Sequence, residues 1–426
     1  MTGLLFIIFF VMLALNIPVF LSLTLSSTVV LGLFTETPMP MIIQRLFSGV
    51  NKFSLLAVPF FILASNVMNR GGLASRMVKF ADAMVGHKRG GLAFAVVLTC
   101  MFLGATSGSA PATVVAICGI MLPSMIKGGY GKGFSIGLIM AASSVAVIIP
   151  PSIGMIVYGS ATGVSIGKVF MGGFIPGVIY GGSFMIYCYW YAKKKNIPLS
   201  PKATGRERLQ AFKEAGWALG IPVIIIGGIY GGFCTPTESA GIAAMYAILV
   251  SLFIYREMNF KDLIQVCSQS AVSTAQNMVL LAGASVFAWV LTRFQVPVLL
   301  SNAILEFATN KYLVLLMMNI IMLIAGMFLD ASSIITIMAP LFLPVAQAFG
   351  IDPVHLGVVM VVNGAIGMFT PPFGLNLFVA SGITKISLSE LYKTVWVWII
   401  LSILALLVIT YAEPIVMFLP NLVMKG

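Results

Sequence analysis

Apolar runs long enough for the roughly 20 residues that a membrane-spanning helix needs recur along this chain from its first residues to its last. A bilayer offers no partner to an exposed backbone N–H or C=O, so each run must satisfy its hydrogen bonds internally, as an α-helix does. The expected fold class is an all-α polytopic membrane protein. Of the 426 residues, 60% are hydrophobic and 8% charged, and no interval between the runs has the composition of a soluble domain.

Run length and breaker residues place spanning segments near 3–34, 52–70, 133–160, 170–192, 217–232, 238–256, 271–292, 353–382 and 391–419. The first is too long for a signal-peptide core and lacks a basic leader, so it is expected to be a retained helix. Two further apolar regions, 90–127 and 311–349, are interrupted by small polar residues and are expected to be re-entrant hairpins of half-length helices. The stretches 38–51 and 73–85 are amphipathic and should lie along the interface.

The net charge of +12 would suit nucleic acid in a soluble protein, but here Lys and Arg fall in short loops between apolar runs. Nucleic acid is therefore not an expected partner. With the segments above, 18 of the 24 basic residues lie on one side and six on the other. Loops rich in Lys and Arg stay inside, which predicts a cytoplasmic N-terminus, a periplasmic C-terminus and a cytoplasmic basic linker over 193–216 in a bacterial inner membrane.

Enzyme chemistry finds little material. The five cysteines stand singly, only two histidines occur, and no nucleophile–base set or metal spacing is present. The steps Gly131-Lys132 and Gly167-Lys168 lack the phosphate-cradling pattern of a P-loop. The expectation is a non-enzyme without a cofactor.

The two sides of the linker, 1–192 and 217–426, repeat one another. Asn16-Ile17-Pro18 matches Thr235-Pro236-Thr237, Phe102-Leu103-Gly104-Ala105-Thr106-Ser107 matches Phe328-Leu329-Asp330-Ala331-Ser332-Ser333, and Ile149-Pro150-Pro151 matches Thr370-Pro371-Pro372. The copies run in opposite directions through the membrane, the architecture of alternating-access transporters.

The interruptions carry the candidate sites. Thr106, Ser107 and Ser109 put hydroxyls among glycines at bilayer depth, and Asp330, Ser332 and Ser333 do the same in the second copy. Irregular backbone at that depth is tolerated only against protein or a water-filled cavity, and its carbonyls with Ser/Thr oxygens suit a hard cation such as sodium. An acidic side chain there costs about 2.5–3.5 kcal/mol, which a bound cation offsets in Asp330. Each Pro-Pro pair removes two backbone donors and should break its helix, exposing carbonyls near Pro150, Gly154, Thr370, Pro371 and Gly374 to the ion. Ser144, Asn363 and Asn376 flank the breaks and are the candidate solute contacts. Glu238 after Thr235 reads as a helix cap, and Gly173, Gly177 and Gly181 as a helix-packing face.

The run Ala57-Val58-Pro59-Phe60-Phe61-Ile62-Leu63-Ala64, the Ser107-Gly108-Ser109-Ala110 turn, the Pro150-Pro151-Ser152 break and Thr235-Pro236-Thr237-Glu238-Ser239-Ala240-Gly241 resemble the large permease subunit of tripartite ATP-independent periplasmic (TRAP) transporters. The resemblance covers essentially the whole chain. It implies an elevator-type transporter in which two hairpins and two broken helices slide past a scaffold, with sodium symport of an organic acid. It implies two partners, a small four-helix membrane subunit and a periplasmic substrate-binding protein. The first half is most similar to the sialic-acid branch, with the four-carbon dicarboxylate branch second. A passive channel or a non-transporting membrane scaffold is the alternative, but neither needs two matched mid-membrane sites.

Overall fold

The structure, a computed structural model, describes residues 2–15, 17–299, 302 and 310–423; Asn16 and Lys425 lie outside them. Among the described residues every regular element is helical, and eight helices are long and apolar enough to cross a membrane.

The chain begins with α1 (Thr2–Ala14) and α2 (Val19–Phe34). The sequence reading of 3–34 as one crossing is corrected here. The rings of Phe6 and Phe9 both meet Phe287, while Phe20 and Thr24 lie against Gly283, one turn away on the same helix. A straight helix would separate Phe9 from Phe20 by about 16 Å. The two helices therefore fold back on each other at the Pro18 break, where a ring without an N–H cannot continue α1. Next come α3 (Met39–Val50), α4 (Ala57–Arg70) and α5 (Leu73–Val85); α3 and α5 are the amphipathic stretches read from the sequence.

A hairpin follows, α6 (Gly91–Ser107) and α7 (Ala110–Lys127), then the broken pair α8 (Lys132–Ser144) and α9 (Ile153–Thr162), then α10 (Ile166–Lys194). The basic linker is shorter than 193–216, because α11 (Gly205–Tyr230) starts inside it. A capping box explains the early start: the Thr204 hydroxyl accepts from Glu207 N–H while the Glu207 carboxylate accepts from Thr204 N–H. The same device at Thr235 and Glu238 opens α12 (Pro236–Leu249), in line with the capping role read for Glu238. The segment read as 271–292 is the end of a longer helix, α13 (Phe260–Arg293). The second hairpin is α14 (Lys311–Gly326) and α15 (Ala331–Ala348), the second broken pair α16 (Pro353–Gly367) and α17 (Leu375–Thr384). The run 391–419 is not one helix but α18 (Leu388–Tyr411) and α19 (Glu413–Val423), parted at Ala412.

The repeats interlock by exchange. Helix α2 packs on α13 and α4 on α12; α9 packs on α15 and α17 on α7; α10 packs on α16 and α18 on α8. Each broken helix is thus held by elements of the other copy. Buried aromatics such as Trp398, Tyr180 and Phe184 fill the seam between α10 and α18.

Candidate functional site

Both hairpins turn at a residue whose backbone is not helical. Gly108 adopts φ 57°, and a Cβ there would sit 2.7 Å from the Pro151 carbonyl, so the first tip can lie against the first break only as glycine. Ser109 is extended and Pro111 stands in the first turn of α7, where a missing N–H costs nothing. In the second tip Asp330 is the extended N-cap of α15: its carboxylate accepts from Ser332 N–H at 2.9 Å, from Ser333 N–H at 3.3 Å and from the Ser333 hydroxyl. The second break is tied to this tip by Phe373 N–H, which donates to the Met327 carbonyl at 3.1 Å. Both Pro-Pro bonds, Pro150-Pro151 and Pro371-Pro372, are cis.

The two tips and the edges of the two breaks line one cavity of about 440 Å³. Ser107, Ser109, Asp330 and Ser332 face it, together with Val147, Ile153, Met368 and Leu375 from the breaks. No cationic side chain forms an ion pair with Asp330 among the described residues. A carboxylate and several hydroxyl oxygens therefore converge on a space without a counter-charge, a donor set suited to a hard cation.

Other predicted residues stand behind this surface. Thr106 is fully buried and donates to the Leu103 carbonyl at 2.7 Å; Thr370 donates to Ile366 at 2.7 Å. Pro150, Pro371 and Gly374 shape the breaks, and Gly154 packs against Ile335 of α15. The expected solute contacts do not reach the cavity. Ser144 donates to Ala141 at 2.7 Å and meets the Tyr180 hydroxyl at 3.1 Å; Asn363 donates to Asn319 at 2.7 Å; Asn376 donates to the Met140 carbonyl at 3.0 Å. Each is fully buried between helices and bonded to a neighbouring polar group, while the amide oxygens of Asn363 and Asn376 are buried without a hydrogen-bond partner among the described residues.

The far wall holds residues that the sequence reading passed over: Ser65 and Asn66 on α4 and Ser273, Gln276 and Asn277 on α13. Asn66 donates to Ser270 at 2.9 Å and joins the two helices. The signal was available, because Gln269, Ser273, Gln276 and Asn277 recur at helical spacing and make a polar stripe on α13. The stripe continues into a second cavity of about 360 Å³, shared through Asn66, Ala112 and Val115, that ends at Arg70 and Asp262. Those two form an ion pair of 2.7 Å at its mouth.

Residues 6–415 match the family model described as "Tripartite ATP-independent periplasmic transporter, DctM component". The chain belongs to the TRAP large permeases. This TRAP permease is 42% identical over 443 residues to the C4-dicarboxylate TRAP transporter large permease protein DctM of Vibrio cholerae, covering 99% of this chain and 98% of that one. It is 38% identical to the ectoine TRAP transporter large permease protein TeaC of Halomonas elongata, over 91% of each chain. It is 41% identical to the isethionate TRAP transporter permease protein DctMQ of Oleidesulfovibrio alaskensis, covering 96% of this permease and 65% of that longer protein. The YdaH transporter of Alcanivorax borkumensis shares the fold, with a TM-score of 0.61 at 18% identity and 89% of each chain covered.

Proposed function

We propose that this permease takes up a small organic acid together with sodium, as the large subunit of a binding-protein-dependent TRAP system in a bacterial inner membrane. The single observation that carries the reading is the convergence of both hairpin tips on one cavity, whose lining includes Asp330, an acidic residue in no ion pair among the described residues. Sodium is held by Ser107 and Ser109 with the carbonyls around Pro150-Pro151, and by Asp330, Ser332 and Ser333 with those around Pro371-Pro372. The solute sits between these tips and the amide wall of α4 and α13, where Asn66, Gln276 and Asn277 offer donors to a carboxylate.

The two hairpins and two broken helices move as one body past α1–α4 and α11–α13. The exchange packing of α9 on α15 and α17 on α7 supports this division, because it ties the four moving elements to one another. The cavity that runs on to Arg70 and Asp262 is the cytoplasmic exit. With the basic linker inside, the folded-back α1 and α2 carry the N-terminus to the periplasmic face. The charge count is unchanged by this, since no Lys or Arg precedes Arg45.

A small membrane subunit and a periplasmic binding protein complete the system; the extra length of the DctMQ relative supports the first. Relatives named for C4-dicarboxylates at 41–42% identity favour that solute class over sialic acid. Uptake of labelled four-carbon dicarboxylates, sialic acid and ectoine by proteoliposomes holding all three components tests the reading. Sodium-dependent accumulation of a dicarboxylate is expected; solute equilibration that ignores the sodium gradient would favour a passive channel.

A further inference from the structure

Where α11 leaves the basic linker, positive charge gathers around one half-buried guanidinium. Arg208 lies in the first turn of α11, and its Nη2 approaches His87 Nδ1 of the 86–90 turn to 3.4 Å. Its Nε is buried and has no hydrogen-bond partner. Burial, and then the charges of Arg208, Lys202 and Lys88, hold the His87 imidazole below its ordinary pKa. The adjacent carboxylate offers no relief, because Glu207 is turned back on the Thr204 N–H at 2.6 Å and its hydroxyl at 2.9 Å. None of the ion pairs among the described residues involves Arg208, Lys202 or Lys88. A buried donor left unpaired among like charges is unfavourable until an anion joins it.

The same face of α11 then turns apolar. Leu209 and Phe212 are 55% and 52% exposed beside the cluster, and Val223 continues the exposed face toward the membrane interior. A cationic cluster at the membrane surface continuous with an exposed apolar helix face matches a lipid, with a phosphate at one end and hydrocarbon at the other. We propose that Arg208, Lys202, Lys88 and His87 bind the phosphate of an anionic phospholipid whose acyl chain lies along Leu209 and Phe212. The site rests on the placement of this turn at the membrane surface and is independent of solute and ion.

The test is lipid retention by the purified full chain in detergent, read by native mass spectrometry after addition of phosphatidylglycerol, phosphatidylcholine or inorganic phosphate. Phosphatidylglycerol is retained in preference to phosphatidylcholine. The double variant Lys202→Gln/Arg208→Gln weakens that retention about thirtyfold, two basic residues' share at a membrane surface. Arg208→Lys keeps most of it, and Lys393→Gln, a basic residue on another helix, leaves it unchanged. Equal retention of the two lipids, undiminished retention in the double variant, or displacement of phosphatidylglycerol by millimolar inorganic phosphate would overturn the site. If the double variant does not fold, a salt titration of the parent decides: retention must fall as sodium chloride rises, and salt-independent retention contradicts the proposal.

Discussion

Asn376 on α17 donates its side-chain N–H to the Met140 carbonyl of α8 at 3.0 Å, joining the break of one repeat to the broken helix of the other. Both residues are fully buried, so the donor has no water to fall back on. Asn376→Ala is expected to cost about 0.5–2 kcal/mol, the range for a buried hydrogen bond between membrane helices. Thermal unfolding of the purified chain measures it, and an unchanged midpoint would show that the two broken helices are held together by apolar packing alone.

A second contact, between the ends of α14 and α16, is a close approach of backbone to backbone. A Cβ on Gly367 would lie 2.7 Å from the Cα and the carbonyl oxygen of Gly326, and backbone cannot yield as a side chain would. Gly367→Ala should destabilise by about 1–3 kcal/mol through overpacking. Gly241, whose added Cβ meets nothing within 4 Å, serves as the contrast: Gly241→Ala should be neutral or stabilising by up to about 1 kcal/mol. The reverse order of thermal midpoints would contradict the close approach.

The hairpins and broken helices were legible because glycine, hydroxyl residues and paired prolines inside apolar runs have few other physical explanations. The fold-back of α1 on α2 was not, since a break of four residues inside a continuous apolar run looks like a kink. No basic residue lies near enough to test it either, because Arg45 is the first one. The packing of Asn363 was hidden for a different reason. Its partner Asn319 stands 44 positions away, and only the packed fold shows that the amide is used there. The wall of α13 was missed because Ser, Gln and Asn at helical spacing carry no charge to draw the eye.

Topology supplies a direct check. In a background without the native cysteines, Cys introduced at Leu199 should be shielded from a membrane-impermeant reagent in intact cells. Cys at Thr2 and at Asn421 should both be labelled from the periplasm. Labelling at position 199 with protection at 421 would invert the whole arrangement, whereas protection at position 2 alone would restore a cytoplasmic N-terminus.

The amide wall should govern the solute and leave the ion untouched. Gln276→Ala, which removes one donor facing the cavity, is expected to raise the KM for solute about tenfold, the equivalent of one hydrogen bond to a charged group. Its sodium dependence should match the parent. A variant that shifts sodium affinity instead would move the ion site onto α13.

Moving one elementary charge across the membrane is worth about 2.3 kcal/mol per 100 mV, so a monovalent anion enters a negative interior uphill and one sodium merely cancels its charge. We infer from the two matched tips on one cavity that at least two sodium ions accompany each solute, which carries net positive charge inward with a monovalent acid and only cancels the charge of a dicarboxylate dianion. The deciding measurement is uptake by the reconstituted system against sodium concentration at clamped potential, for the parent, Asp330→Ala and Ser109→Ala. The account predicts sigmoidal sodium dependence in the parent, with potential-driven uptake if the acid is monovalent, and weakened sodium dependence in both variants. Hyperbolic sodium dependence in the parent, or unchanged sodium dependence in both variants, would contradict it.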